Sequence, residues 1–298
     1  MQVAYLILAH KNPAQLARLV RRLNAPGVAF FVHIDLRSPL AGFQEELRLI
    51  PNAEIPNANI HWVERVAAKW GRFGLVQATL NCLETSFAHT PGIDRFVLIS
   101  GQDYPLRSAT DIVRFWQAAP LTTFMEYFSL PTEQWHKGGL DRVETLGLSF
   151  PGGHLVRHLI RIFYRRRLPL GLKPFAGSQW WSMSRSHAER VMEFVRRHPG
   201  YVRFHHWSLV PDEMFFQIIL LNAGDEIKKH IVGDHLRYVV WESPRTYHPN
   251  VLGTVDLEAI MASNQLFARK FDTAIDAEIL DPIDTRVDAA APSSAEPK

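Results

Sequence analysis

Residues 3–35 read VAYLILAHKNPAQLARLVRRLNAPGVAFFVHID, and the order of signals in this stretch decides the fold class. Val3–Ala9 is an unbroken apolar run of strand length. Pro13 then opens a segment whose Leu16, Leu19, Val20 and Leu23 share one helical face. Ala25-Pro26-Gly27 stops that helix, and Ala29–Asp35 reads as a second buried strand. Working outward, Phe43–Ile50 reads as a weaker helix and Ile60–Glu64 as a short strand. Val76, Leu80, Leu83 and Phe87 recur at helical spacing, and Arg95–Ser100 is a further strand ending at Gly101. Strand and helix alternating through short turns predicts a parallel sheet with covering helices, so the first half is an α/β layer.

The second half is less regular. Thr122–Tyr127 and Gln179–Ser184 read as strands, while Ser129–Gly153 mixes Pro, Gly, Trp and charge as functional loops do. Ser186 with Glu189 predicts a capping box opening a helix through Arg197. Pro211 suits a first helical turn, and Met214–Leu221 is apolar nearly all round, which predicts a buried helix ended by Asn222-Ala223-Gly224. Tyr238–Trp241, a helix over Asp256–Ser263 and Leu266–Phe271 follow. From Thr285 the Ala/Pro/Ser-rich end lacks periodicity and is expected to be a disordered tail, residues 285–298.

Composition narrows the class without naming a chemistry. The 298 residues are 47% hydrophobic and 21% charged, which is globular usage. No apolar run reaches the about 18 residues that a spanning helix needs. Met1-Gln2 leads straight into strand sequence without a basic leader, so a cytoplasmic chain is expected. A net charge of +3 suits anionic ligands but is too small to argue for nucleic acid. Cys82 is the single cysteine, which excludes an intrachain disulfide and reads as an inert buried thiol. No glycine-rich phosphate loop follows the first strand, which counts against dinucleotide oxidoreductases and P-loop nucleotidases.

Open α/β sheets bind ligands at the carboxyl ends of their strands. Those ends carry Ala9-His10-Lys11, His33–Ser38 and Ser100–Pro105, three polar clusters able to meet at one crevice or to serve only as turns and caps. Tyr5–His10, Phe31–Ser38 and Trp70–Val76 together resemble the opening motifs of the Core-2/I-branching glycosyltransferases, glycosyltransferase family 14. The resemblance continues in order through Ser100–Ser108, Gly177–Trp181, Pro211–Phe216 and Phe267–Asp272, nearly the whole chain.

The resemblance implies an α/β GT-A-like fold with a Rossmann-like, nucleotide-binding first half and a mixed sheet. The expected division is one catalytic domain, residues 1–284, with nucleotide-binding half 1–120 and acceptor and catalytic half 121–284. The implied reaction is inverting transfer of GlcNAc or xylose from a UDP-sugar to a glycan hydroxyl, in surface polysaccharide synthesis. By similarity Asp35 and Arg37 hold the uridine end, Glu213 is the base, and Arg269 and Lys270 face the diphosphate. His10, Asp103 and Ser178 fall on the donor side, Asp103 being equally readable as a turn residue before Pro105. On the acceptor side Glu126 matches the acetylglucosaminyltransferases, whereas Lys137 and Arg142 match the xylosyltransferases. Trp181 and Trp241 are the expected sugar platforms, since sugar C–H faces suit aromatic rings.

An inverting displacement needs a base for the acceptor hydroxyl and cations for the departing diphosphate. Many GT-A enzymes take that positive charge from a metal on Asp-x-Asp after the second strand. Asp35-Leu36-Arg37 has a guanidinium at the second carboxylate, so no metal or other cofactor is expected. His205, His206, Asp212 and Glu213 have no familiar metal-ligand spacing. Leu155–Arg167 reads as a basic amphipathic helix, with Arg157, Arg161 and Arg165 every four residues. It suits either an anionic membrane at its inner face or a solvated face packed on the domain. The rival to an enzyme is a non-catalytic nucleotide-sugar or glycan-binding module.

Overall fold

The computed structural model describes residues 1–50, 59–133, 135–147, 165–242 and 248–290, with His136 and Lys137 described as backbone only. Apolar periodicity becomes twelve strands: β1 Val3–Ala9, β2 Val28–Ile34, β3 Ile60–Trp62, β4 Arg95–Ser100, β5 Asp103–Pro105, β6 Thr123–Met125, β7 Phe128–Ser129, β8 Phe175–Ala176, β9 Trp181–Ser184, β10 Ile231–Val232, β11 Arg237–Val239 and β12 Phe267–Arg269. Seven form one sheet in the order β10-β6-β9-β4-β1-β2-β3. β9 runs against both its neighbours and every other adjacent pair is parallel. This is the α/β layer that the alternation predicts, and the antiparallel β9 makes it the mixed sheet that the resemblance implies.

Every residue of β1 and β2 is buried, the pattern of strands covered on both faces. Tyr5 and Ile7 face a layer built by the helices Pro13–Leu23 and Ala109–Ala118, through residues such as Leu19, Val20, Ile112 and Trp116. Ala4, Leu6 and Leu8 face the opposite layer, where Gly74–His89, Arg185–Arg197 and the buried helix Phe215–Leu221 pack. Cys82 lies buried within the second layer. Among the described residues no helix is long and apolar enough to cross a membrane.

A smaller sheet, β11-β12-β5, sits beside the large one and pairs Arg269 directly with Asp103. β7 and β8 form a short antiparallel ribbon that sets Ser129 opposite Phe175.

Three expectations change. Ser184, not Ser186, precedes the helix Arg185–Arg197, and it makes no side-chain cap. Glu189 accepts from Arg185 Nε at 2.7 Å instead of closing a capping box, because Ser186 already lies inside the first turn. The basic helix expected over Leu155–Arg167 lies outside the described residues at 155–164, and Arg165, Arg166 and Arg167 are not helical. There Arg166 is buried, with its guanidinium donating to the carbonyls of Thr145, Trp207 and Phe204 and lying 3.8 Å over the Phe204 ring.

The third change is at the C-terminal end. Leu280–Ala290 is a helix, so order continues beyond Thr285; residues 291–298 lie outside the described residues. Leu280, Ile283 and Val287 are buried at spacings of a helical face. The polar side carries Asp281, Asp284 and Asp288 against Arg18 and Arg22 of the first helix, at 2.6 to 3.0 Å. Asp284 also accepts from Tyr104 Oη at 2.9 Å. Asp284→Ala removes the acceptor that Arg18, Arg22 and the buried Tyr104 phenol share, and should cost about 1–3 kcal/mol in urea unfolding. Asp288→Ala removes an exposed pair and should cost less than about 1 kcal/mol in the same measurement.

Candidate active site

β1, β2 and β4 are mutually parallel neighbours, so Ala9, Ile34 and Ser100 finish on the same edge of the sheet. The polar residues that follow them converge there. Asp35 is buried, and its carboxylate accepts from Arg37 N at 2.8 Å, Arg37 Nε and Nη2 at 2.9 Å, and Ala68 N at 3.0 Å. The Arg37 guanidinium leads these in holding the Asp35 carboxyl down at about 2, so it stays ionised at any physiological pH. His33, buried behind it, accepts from Val66 N through Nε2 at 3.0 Å, and burial lowers its pKa to about 4, leaving it neutral.

Arg65 is the residue here that sequence reading missed. Its guanidinium donates to the backbone carbonyls of Ile34, Asp35, Leu36 and Ser38 at 2.6 to 3.1 Å, holding the whole turn after β2. Ser38 Oγ closes the turn on His10 O at 2.7 Å. His10 is pushed below the usual imidazole range by desolvation and then by Lys11.

Positive charge gathers beside this turn. Lys11 pairs with Asp272, to which Asn12 Nδ2 also donates at 2.7 Å. Desolvation, then Arg269 and Lys11, lower the pKa of Lys270. His248 is lowered by desolvation and then by Lys270 and Arg269. These mutual repulsions mark a cationic rim that an anion would relieve. Arg269 is the least exposed of them, 4.2 Å over the half-buried ring of Trp180 and 3.0 Å from Asp103.

Carboxylates occupy the other side. Pro211–Glu213 forms a short 3-10 turn leading into the buried helix Phe215–Leu221. Val210 precedes it with φ +46°, a left-handed conformation costly for a β-branched residue, and its amide bonds Gly71 O at 3.2 Å. Glu213 pairs with Arg142, whose guanidinium also lies 3.6 Å over the Trp135 ring. Burial raises the Glu213 pKa while Arg142 opposes that rise. Asp212 is buried with one oxygen unpartnered, and desolvation pushes it up to about 8. Glu126 is likewise raised, chiefly by desolvation, with Glu213 and Asp234 adding repulsion and the Ser178 amide opposing.

Gly177 ties the backbones of Glu213 and Glu126 together. Its amide donates to Glu213 O at 2.9 Å, and a Cβ there would lie 1.9 Å from Glu126 O, so only glycine fits. Three residues on, Trp180 lies beneath Arg269. The segment Gly177–Trp180 therefore bridges the acidic and cationic sides. Ser178 serves it as a turn residue, its Oγ accepting from Trp180 N at 3.2 Å and its carbonyl from Gln217 at 2.7 Å.

Two expected residues are placed elsewhere. Trp181 is fully buried against Phe216 in the core and offers no sugar platform; strand alternation leaves Trp180 on the crevice side. Asp103 is also fully buried, inside the small sheet between Arg237 and Arg269, and does not reach a ligand directly. Trp241 is 52% exposed. The Lys137 side chain and Arg245 lie outside the described residues. Among the described residues no three His, Cys, Asp or Glu side chains are grouped to hold a metal ion.

A mixed sheet of this order, with a polar edge where its parallel strands end, is a GT-A-like fold. The family model described as Core-2/I-Branching enzyme matches residues 3–261, and the chain belongs to that family. It is 26% identical over 276 residues to beta-glucuronosyltransferase GlcAT14A of Arabidopsis thaliana, covering 90% of this chain and 60% of the plant protein. It is 24% identical over 315 residues to xylosyltransferase 2 of Rattus norvegicus, covering 95% of this chain but 33% of the rat protein. The chain thus spans less than two thirds of the plant protein and a third of the rat protein. Among solved structures, HddC from Yersinia pseudotuberculosis overlaps 63% of this chain and 79% of its own, with a TM-score of 0.31 and 12% identity.

Arg65→Met should free the turn after β2 without unfolding the sheet. Hydrogen exchange at the Leu36 and Ser38 amides should accelerate at least about tenfold, each 1.4 kcal/mol of lost protection being one decade. Unchanged exchange at those amides would show that Arg65 does not hold the turn.

Proposed function

We propose that this chain transfers a sugar from a UDP-sugar to a hydroxyl of a glycan acceptor, with inversion and without a metal ion. The observation that carries the reading is a group of cations, Lys11, Arg269 and Lys270, and a pair of carboxylates, Glu126 and Glu213, joined by the segment Gly177–Trp180. Asp35 and Arg37 take the uridine end, in the turn that Arg65 holds. Arg269 and Lys270 meet the diphosphate.

The acceptor oxygen attacks the anomeric carbon from the face opposite UDP, as Glu213 removes its proton. The bond from the anomeric carbon to UDP breaks with both electrons staying on the diphosphate, and the rim cations stabilise that charge. Arg142 aims the Glu213 carboxylate and opposes the rise that burial gives its pKa. Arg37 stands where a second metal-binding carboxylate would be, and supports a metal-free reading. Xylose and GlcNAc are the first donors to test, and the name of the plant relative adds glucuronic acid. A surface polysaccharide made at the inner face of a membrane, met through basic residues such as Arg157 and Arg161, completes the proposal.

Glu213→Gln should lower kcat by about a hundredfold to ten-thousandfold while leaving UDP affinity within about twofold. Near-parental turnover would remove Glu213 as the base. Transfer should persist in excess EDTA, and a collapse restored by manganese would refute the metal-free reading.

The pH profile follows from the sign of the shift. A base works when deprotonated, so the rate should rise with pH through a limb above the ordinary glutamate value of about 4.3. Arg142→Met withdraws the influence that lowers the Glu213 pKa and should move that limb to higher pH. The ion pair itself favours one second reading, a module that binds nucleotide-sugar or glycan without turnover. UDP binding with neither transfer nor hydrolysis across a donor panel would establish it.

A further inference from the structure

We infer that Asp103 is a positioning residue, held by Arg237, that aims Arg269 at the donor diphosphate. The inference rests on the proposed donor reading and adds two residues to it. Asp103 is on β5, and the antiparallel register sets it directly across from Arg269 on β12. Both Asp103 and Arg237 are wholly buried as side chains, and Arg269 is 12% exposed.

One carboxylate thus serves two guanidiniums. Arg269 Nη1 lies 3.0 Å from Oδ1, and Arg237 Nε lies 3.6 Å from Oδ2. Neither contact closes as a hydrogen bond; Oδ2 instead accepts from Ser100 N at 3.2 Å. That amide ends β4, so the carboxylate is fastened to the strand edge where the ligand is expected. Arg237 is fastened too, donating through Nη2 to Leu98 O at 2.6 Å and through Nη1 to His235 O.

Among the described residues Asp103 is the carboxylate paired with both arginines, and Asp234 acts on Arg237 alone, so the deficit of negative charge falls on Arg269. Arg269 is the member with an outlet, lying over Trp180 on the crevice side. Burial disfavours its charge, and Asp103 is what offsets this. A diphosphate arriving over Trp180 would supply the missing negative charge. Asp103 keeps Arg269 charged and fixed in advance, so little side-chain entropy remains to be lost on binding.

Titration of the parent chain with UDP and with uridine separates the diphosphate from the nucleoside. UDP should bind at least about tenfold more tightly than uridine, as charge-assisted hydrogen bonds imply. Asp103→Asn, kept folded by melting temperature, should lose about tenfold of that advantage with uridine affinity within twofold. Arg269→Met should lose it as well, and the double variant should be no worse than Arg269→Met alone. If Asp103→Asn does not fold, Arg237→Lys withdraws the fork from Asp103 and should show the same selective loss. A folded variant that keeps the full UDP advantage, or loses uridine and UDP binding equally, overturns the positioning role. A parent chain that binds uridine but gains nothing from the diphosphate overturns the donor reading itself.

Discussion

Burial of β1 on both faces is the constraint from which the rest follows. A strand with no solvent-facing side must be flanked on both edges, and β2 and β4 do so in parallel. Parallel flanking makes three chain segments end on the same edge of the sheet. Each must there satisfy backbone groups that the ladder no longer pairs, and polar residues gather to do so. The candidate site is built from that necessity: Asp35 collects amides, Arg65 collects carbonyls, and Asp103 takes the amide of Ser100.

Electrostatics then divides the crevice. Desolvation first, and then repulsion among the cations near Lys270, lower the pKa values of Lys270 and His248. Across Gly177–Trp180, Glu126 and Glu213 are raised by desolvation. Neither side is at rest without its counterpart. This stored imbalance is what a fixed site can direct at a polar substrate, because the groups need not reorganise when it arrives.

The first half of the fold was legible because each apolar run has one period and one length. Val3–Ala9 and the face of Leu16, Leu19, Val20 and Leu23 admit no competing reading. Glu213 and Asp35 were legible through motifs. Other features were not, each for a local reason. Arg65 acts on backbone carbonyls, which leave no side-chain signature in sequence. Asp103 meets Arg269 only through the register of two strands far apart in the chain. Trp180 and Trp181 are neighbours on opposite faces, and alternation alone does not say which face is core. Leu280–Ala290 is held by arginines near the start of the chain, beyond the reach of local periodicity.

The inward turn of Arg166 has a further consequence. Its amide bonds Glu144 O at 3.0 Å, its guanidinium shares Trp207 O with the Gly147 amide, and so the chain leaves at Gly147 and returns at Arg165 through one knot of backbone bonds. Thr145, Gly147 and Arg166 are therefore fastened to one another and to Phe204 and Trp207 through shared carbonyls, so a change that withdraws the Arg166 guanidinium loosens all of these segments at once.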